Sequence, residues 1–368
     1  MGRIRPLTED DAGAVAALFQ RIFRKRATPP PAALLADIRA VYLEDDYCDR
    51  HLPSLVHVED DGTPSGFIGR HALPMTLDGR PLRMALCSSI MVDREKTGPL
   101  TGAKLLKAAL EGPQDFSFTD TASDVSLRMW RGLGGVVLPS HSLDWVRIID
   151  PAVALLDGAA YRFPFLQHLR PLARMAGRRI RGRVKNDALR WTVFAGNPKA
   201  VTTRAISAEE FAAVFAACIA RFPLRPGWSE EETLRLGQKA MAKPAYGQPV
   251  IIGMFDRMQA AIGAGFYHLR PNSSARVLQL LALPGQEGAV LDALLADAAT
   301  RGASLVRGRM QPAFMDAMLG RRLALVNTGS SIVHSSDEAI LARVRSGEAF
   351  LNGLAGEQWS RLIGGAGR

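Results

Sequence analysis

The apolar run MALCSSIMV, Met84–Val92, empties into the turn DREKTGPLTG, and the amphipathic segment TGAKLLKAAL follows at once. This reads as a strand, a turn holding Gly98 and Gly102, and a helix. The first N–H groups of such a helix have no intrahelical partner, and its dipole favours an anion there. The stretch therefore poses the functional question for the chain: a loop that holds phosphates, or an ordinary strand-to-helix connection.

The surrounding order is informative. Ile4 to Leu7 suits a short strand, Thr8 with Asp11 resembles a capping box, and Val15, Leu18, Phe19 and Phe23 recur at helical spacing. A second helix is expected from Ala32 to Tyr42. Strands Leu55 to Asp60 and Gly66 to Met75 flank DDGTPSG, and the turn Asp78 to Arg80 leads into the apolar run. FSFTDTA, the short helix SDVSLRMWRGLG and a last strand pair near VVLP and LDWVRII complete this half. Strand, two helices, three strands, helix, strand, helix, strands is a mixed α/β order, not the alternation of a doubly wound parallel sheet.

The same order returns after residue 190: AVTTRAIS, helices AEEFAAVFAACIARF and WSEEETLRLGQKAM, three strands from VIIGMFD to RVLQLLALPG, then helix EGAVLDALLADAATRG and strand ASLVRGRM. Helix PAFMDAMLG, strand LALVNTGSSIVHS and a final helix through EAILARVRSGEAFLNGL close the chain. Two copies of one topology account for 368 residues better than one core does. The expected division is 1–150, a basic linker at 151–190, and 191–368.

Composition narrows the classes. An apolar fraction of 47 % with 22 % charged residues is globular. No run approaches the roughly 18 apolar residues that span a bilayer, and the N-terminus lacks the apolar core of a signal peptide. Cys48, Cys87 and Cys218 are too few and too scattered for a disulfide framework or a zinc site, and the seven histidines show no ligand spacing. A cytoplasmic setting and no metal are expected. The net charge of +10 is concentrated: residues 162–190 hold nine Lys and Arg against the single acid Asp187. That stretch is expected to be a solvated linker, or a contact for an anionic membrane or another polyanion. Gly177 and Gly182 interrupt it and no aromatic residue lies among the arginines from Arg170 to Arg190, so nucleic acid is the least expected partner, although tRNA stays open.

Together these residues resemble the GNAT acyltransferase superfamily, whose strand and Gln/Arg-x-x-Gly-x-Gly/Ala turn bind the pyrophosphate of acyl-CoA. The resemblance implies two GNAT-like domains in tandem, the second degenerate. It puts Ile90 and Val92 on the strand and Thr97, Gly98, Leu100, Thr101, Gly102 and Ala103 in the binding turn. Thr97 stands where the family has Gln or Arg, Leu100 stands where it has glycine, and Pro99 has no N–H to give. SDVSLRMWRGLGG is similar to the family's Asn-x-x-Ala-x-x-Leu-Tyr segment, which places Ser123 and Trp130 beside the co-substrate. An indole cannot serve as the acid that tyrosine supplies there. In the second copy Glu287 puts a negative charge where pyrophosphate would sit.

The implied activity is transfer of an acyl group, acetyl in the first instance, from acyl-CoA to an amine of a small molecule or sugar. Asp120 and His71 are the candidates for a base, and Ser88 and Ser89 for contact with the acyl group or acceptor. The alternatives are a Fem-like transferase that takes its acyl group from charged tRNA, and an inactive binding or scaffold protein. A bacterial protein and a homodimer belong to the same expectation.

Overall fold

The computed structural model describes residues 2–162, 168–173, 175, 201–243, 246–270, 274–319, 321 and 323–363. The chain opens with β1 (Arg3–Pro6), α1 (Ala12–Ile22), α2 (Ala32–Tyr42), β2 (Leu55–Val58), β3 (Pro64–Leu77) and β4 (Arg80–Val92). Then come α3 (Thr101–Leu110), β5 (Phe116–Ala122), α4 (Asp124–Gly132), β6 (Val136–Val137), β7 (Leu143–Ile148) and α5 (Pro151–Arg162). After residue 200 follow β8 (Thr202–Ala205), α6 (Ala208–Ile219), β9 (Leu224–Pro226), α7 (Glu230–Met241), β10 (Gln248–Phe255), β11 (Ala261–Leu269) and β12 (Ser274–Ala282). The last are α8 (Glu287–Thr300), β13 (Leu305–Arg309), α9 (Met315–Leu319), β14 (Ala324–Asn327), β15 (Ser330–His334) and α10 (Glu338–Arg345). The chain forms two compact units: Met1–Ser142 with Phe222–Ser229 and Thr328–Arg368, and Leu143–Arg221 with Glu230–Asn327.

In the first unit the Asp11 carboxylate accepts the Thr8 backbone N–H at 2.9 Å and the Thr8 hydroxyl at 2.7 Å, and Arg5 approaches it to 2.6 Å. This fixes the start of α1, as the sequence suggests. The apolar stripe Val15, Leu18 and Phe19 is then buried with Leu34, Ile38 and Tyr42 of α2 against Phe67 and Met91 of the sheet. Across the sheet, Leu105, Leu106 and Ala109 of α3 and Trp130 of α4 pack with Ile68, Ala85, Cys87 and Ile332. Each large side chain so buried contributes roughly 1.5–3 kcal/mol of transfer free energy. Asp78 and Gly79, at φ 50° and 87°, make the tight hairpin between β3 and β4.

The sheet order is β1-β2-β3-β4-β5-β15-β6, with β9 on the free side of β3. All pairs are antiparallel except β4 and β5, which the α3 crossover makes parallel. The second unit's order is β14-β7-β13-β12-β11-β10-β8, again with one parallel pair, β12 and β13, joined through α8. Its element order, β8-α6-α7-β10-β11-β12-α8-β13, matches β1-α1-α2-β2-β3-β4-α3-β5, and Ser207 with Glu210 forms a capping box before α6 as Thr8 with Asp11 does before α1.

Several boundaries differ from the sequence expectation. β6 and β7 are not a strand pair: β7 joins β13 and β14 in the second sheet. LALVNTGSSIVHS is two strands, and its second part, β15, runs between β5 and β6 in the first sheet. The division at 150 and 191 is therefore corrected, because residues 328–368 return to the first unit. The final helix stops at Arg345, and Gly347 at φ 80° turns the chain away. Most of the basic stretch 162–190 lies outside the described residues.

Candidate functional site

β4 and β5 pair only from Met84 with Phe116 to Leu86 with Phe118, and beyond that point the two parallel strands separate. β4 changes character at the same place. Its register with β3 shifts between Gly69 with Ser88 and Phe67 with Met91, so Ser89 and Ile90 both face Ile68. This is a β-bulge, and Ser89 is held at φ 52°, a left-handed conformation that costs a serine about 1–3 kcal/mol. The Tyr42 hydroxyl donates to Ser89 Oγ at 2.8 Å and lies 3.1 Å from Ser88 Oγ. Its ring crosses β3 at Gly69, where a Cβ would lie 2.1 Å from the ring. Burial pushes the Tyr42 hydroxyl up to about 12, so it stays protonated.

The turn beyond β4 is built on Asp93. Its carbonyl oxygen accepts from the Lys96 and Thr97 N–H groups at 3.2 and 3.1 Å and from the Thr97 hydroxyl at 2.8 Å. Its carboxylate is 2.6 Å from Arg21 of α1. Thr101 N donates to Gly98 O, and Lys104 N to Leu100 O. No side chain caps α3, so none competes for the first-turn N–H groups of Gly102 and Ala103. Gly102 lets α3 lie close to α4: a Cβ there would meet Met129 Sδ at 3.1 Å. Gly98 has open space around it, and Leu100 is exposed. Ile90 and Val92 lie on the separated part of β4.

Two of the sequence candidates have firm structural work. Ser123 is the N-cap of α4, accepting from the Ser126 N–H. Trp130 is 1 % exposed in the α3–α4 core, so its indole is a packing group. His71 is buried, with Nε2 2.8 Å from Val41 O and its ring tilted beside Tyr42 and edge-on to Trp359.

Asp120, near the end of β5, is brought together with a residue that sequence reasoning missed. The Glu357 carboxylate accepts from Asp120 N at 2.9 Å, Thr119 Oγ1 at 2.6 Å and Thr121 Oγ1 at 2.8 Å. In return Glu357 N donates to Asp120 Oδ1 at 3.2 Å. Gly356 permits this approach, since a Cβ there would lie 2.4 Å from Asp120 Oδ2. Both carboxyls are 1 % exposed. Burial, and then the Asp120 charge, push Glu357 up to about 8. Tyr42, Cys87 and Asp120 are close enough to Glu357 for its charge to raise or be raised by theirs. The bulge of β4, the end of β5 and the segment 352–362 thus share one polar cluster.

The second unit has the same opening between β12 and β13 beyond Val277 and Gly308. There Trp145 of β7, the cross-strand partner of Gly308, packs its indole over that glycine, where a Cβ would touch it at 2.9 Å. At the start of α8, Glu287 is 2.6 Å from Arg221, so its charge is already neutralised within the unit. Among the described residues no group of three or more His, Cys, Asp and Glu could hold a metal, and no helix is long and apolar enough to cross a membrane.

No family model and no curated protein matches the sequence. Solved structures do. A GCN5-related N-acetyltransferase from Kribbella flavida superimposes with a TM-score of 0.55 at 15 % identity over 93 % of this chain and 73 % of its own. One from Anabaena variabilis gives 0.57 at 8 % identity over 92 % and 74 %. Eis1 from Mycobacterium abscessus gives 0.53 at 15 % identity over 93 % and 76 %. The chain has the fold of the GCN5-related N-acetyltransferases.

Proposed function

We propose that the first unit is an acyl-CoA-dependent N-acyltransferase, acetyl-CoA being the first donor to test. The observation that carries this is the parting of β4 and β5 beside the Ser89 bulge, with the uncapped start of α3 at its mouth. In this reading the pantetheine arm lies between the strands and the pyrophosphate meets the N–H groups of Gly102 and Ala103, with Gly98 allowing close approach. The acceptor is an amine of a small molecule or sugar. It attacks the thioester directly as the neutral amine, whose lone pair forms the C–N bond, and its proton goes to a carboxyl at the end of β5 as the C–S bond breaks.

The second unit, with the start of α8 carrying the Glu287–Arg221 ion pair, is the degenerate partner and binds no acyl-CoA. Trp130 leaves the leaving thiolate without the tyrosine acid, which costs little because a thiol pKa is about 8.5.

A thermal-shift series with acetyl-CoA, longer acyl-CoAs, CoA and charged tRNA tests the reading. A donor at a hundred times its Kd stabilises the folded state by about 2.7 kcal/mol. Stabilisation by acyl-CoA supports the proposal; stabilisation by charged tRNA alone replaces it with the Fem-like transferase.

A further inference from the structure

The segment 352–362 is anchored at the end of β5. Glu357 lies beside the separated ends of β4 and β5, with Trp359 edge-on to His71. Each Glu357 oxygen is held: Oε1 by Thr119 and Asp120 N, Oε2 by Thr121. Thr121 is itself exposed, so Oε2 sits one hydroxyl away from solvent while the rest of the carboxyl is buried. A purely structural latch needs a hydrogen-bond acceptor and no charge. Here a second acid, Asp120, accepts from Glu357 N at 3.2 Å, and burial together with its charge raises Glu357 to about 8, which keeps Glu357 largely protonated at neutral pH.

Resting on the acyltransferase reading, we propose that Glu357, supplied by the C-terminal segment, is the catalytic residue that takes the proton from the attacking amine, and that Asp120 is a positioning residue that sets its basicity. As the nitrogen lone pair forms the C–N bond and the C–S bond breaks, the N–H proton passes to the Glu357 carboxylate. The thiolate leaves as an anion and is protonated by solvent. Tyr42 and Cys87, whose charges couple to Glu357, do not compete for that proton, because burial pushes both up to about 12 and keeps them neutral; His71 has its Nε2 2.8 Å from Val41 O and its ring edge-on to Trp359. Asp120 is the titratable neighbour whose charge raises Glu357.

CoA release from acetyl-CoA is measured between about pH 6.5 and 9.5 with 4-methoxyaniline as probe acceptor, an amine essentially neutral over that range. The rate should rise with pH as Glu357 ionises. Glu357→Gln should lose roughly a hundredfold and the pH-dependent limb, with acetyl-CoA affinity by calorimetry unchanged. Glu357→Asp should restore the limb at a reduced rate. Asp120→Asn should keep most of the activity but move the limb to lower pH, because removing the neighbouring charge eases ionisation of Glu357. A Glu357→Gln variant that binds acetyl-CoA and keeps both rate and limb overturns the inference alone, as does an Asp120→Asn variant that loses the limb altogether. Failure of the native protein to bind acetyl-CoA overturns the acyltransferase reading and this inference with it. If Glu357→Gln does not fold, the Glu357→Asp and Asp120→Asn profiles decide by the same criteria.

Discussion

The Asp120 backbone N–H donates to Glu357 Oε1 at 2.9 Å, joining positions 237 apart in the chain. The contact makes the end of β5 and the C-terminal segment one structural feature of the first unit. It also places two buried carboxyls together where the strands part. Stability should report that arrangement independently of turnover.

Burial and the Asp120 charge hold Glu357 near 8 in the folded protein, against an ordinary value of 4.5. Between those values the folded chain keeps a proton that the unfolded chain has released. The contribution of Glu357 to stability therefore falls as pH rises from about 4.5 to about 8 and levels off above. Glu357→Gln removes that slope, so the variant should gain on the native protein between pH 5 and pH 9 in urea melts. A constant difference across that range would show that Glu357 does not carry the proton.

Gly69 exists to let the Tyr42 ring reach the serines of the β4 bulge. Gly69→Ala brings a Cβ to 2.1 Å from that ring, so the ring must move. We expect a loss of roughly 1–3 kcal/mol in urea unfolding from overpacking. Truncating the ring as well, in Gly69→Ala with Tyr42→Ala, should cost less than the sum of the two single variants. Strict additivity would mean that the ring does not depend on the glycine.

Trp130 stands where a tyrosine would be an acid, yet it is packed with Leu105, Leu106 and Ile332. Trp130→Ala should cost about 3–5 kcal/mol, the range for emptying a large core site. Trp130→Tyr should change the rate of CoA release by less than about tenfold, or roughly 1.4 kcal/mol. An increase of two orders of magnitude would show that the indole faces the leaving group.

Much of this was legible in residues that act locally. Thr8 with Asp11, the Asp78–Gly79 turn and the turn at Gly98 to Gly102 announce themselves because their partners are a few positions away. The strands β7 and β15 were placed in the wrong halves because pairing is non-local, and neither Leu143–Ile148 nor Ser330–His334 carries a sign of the sheet it joins. Glu357 was invisible for the same reason. Its only local signal is the glycine before it, which in AGEQW is indistinguishable from a loop glycine until Asp120 is seen beside it. The bulge hid too, since its left-handed residue is Ser89 rather than a glycine.

The claim that one unit binds acyl-CoA and the other does not is tested most directly by calorimetric titration of the full chain with acetyl-CoA. The account predicts one site per chain, abolished by Gly102→Glu, which puts a carboxylate against the first-turn N–H groups of α3 and against Met129, 3.1 Å from the glycine's Cβ position. Two equivalent sites per chain, or binding undiminished in Gly102→Glu, would contradict it.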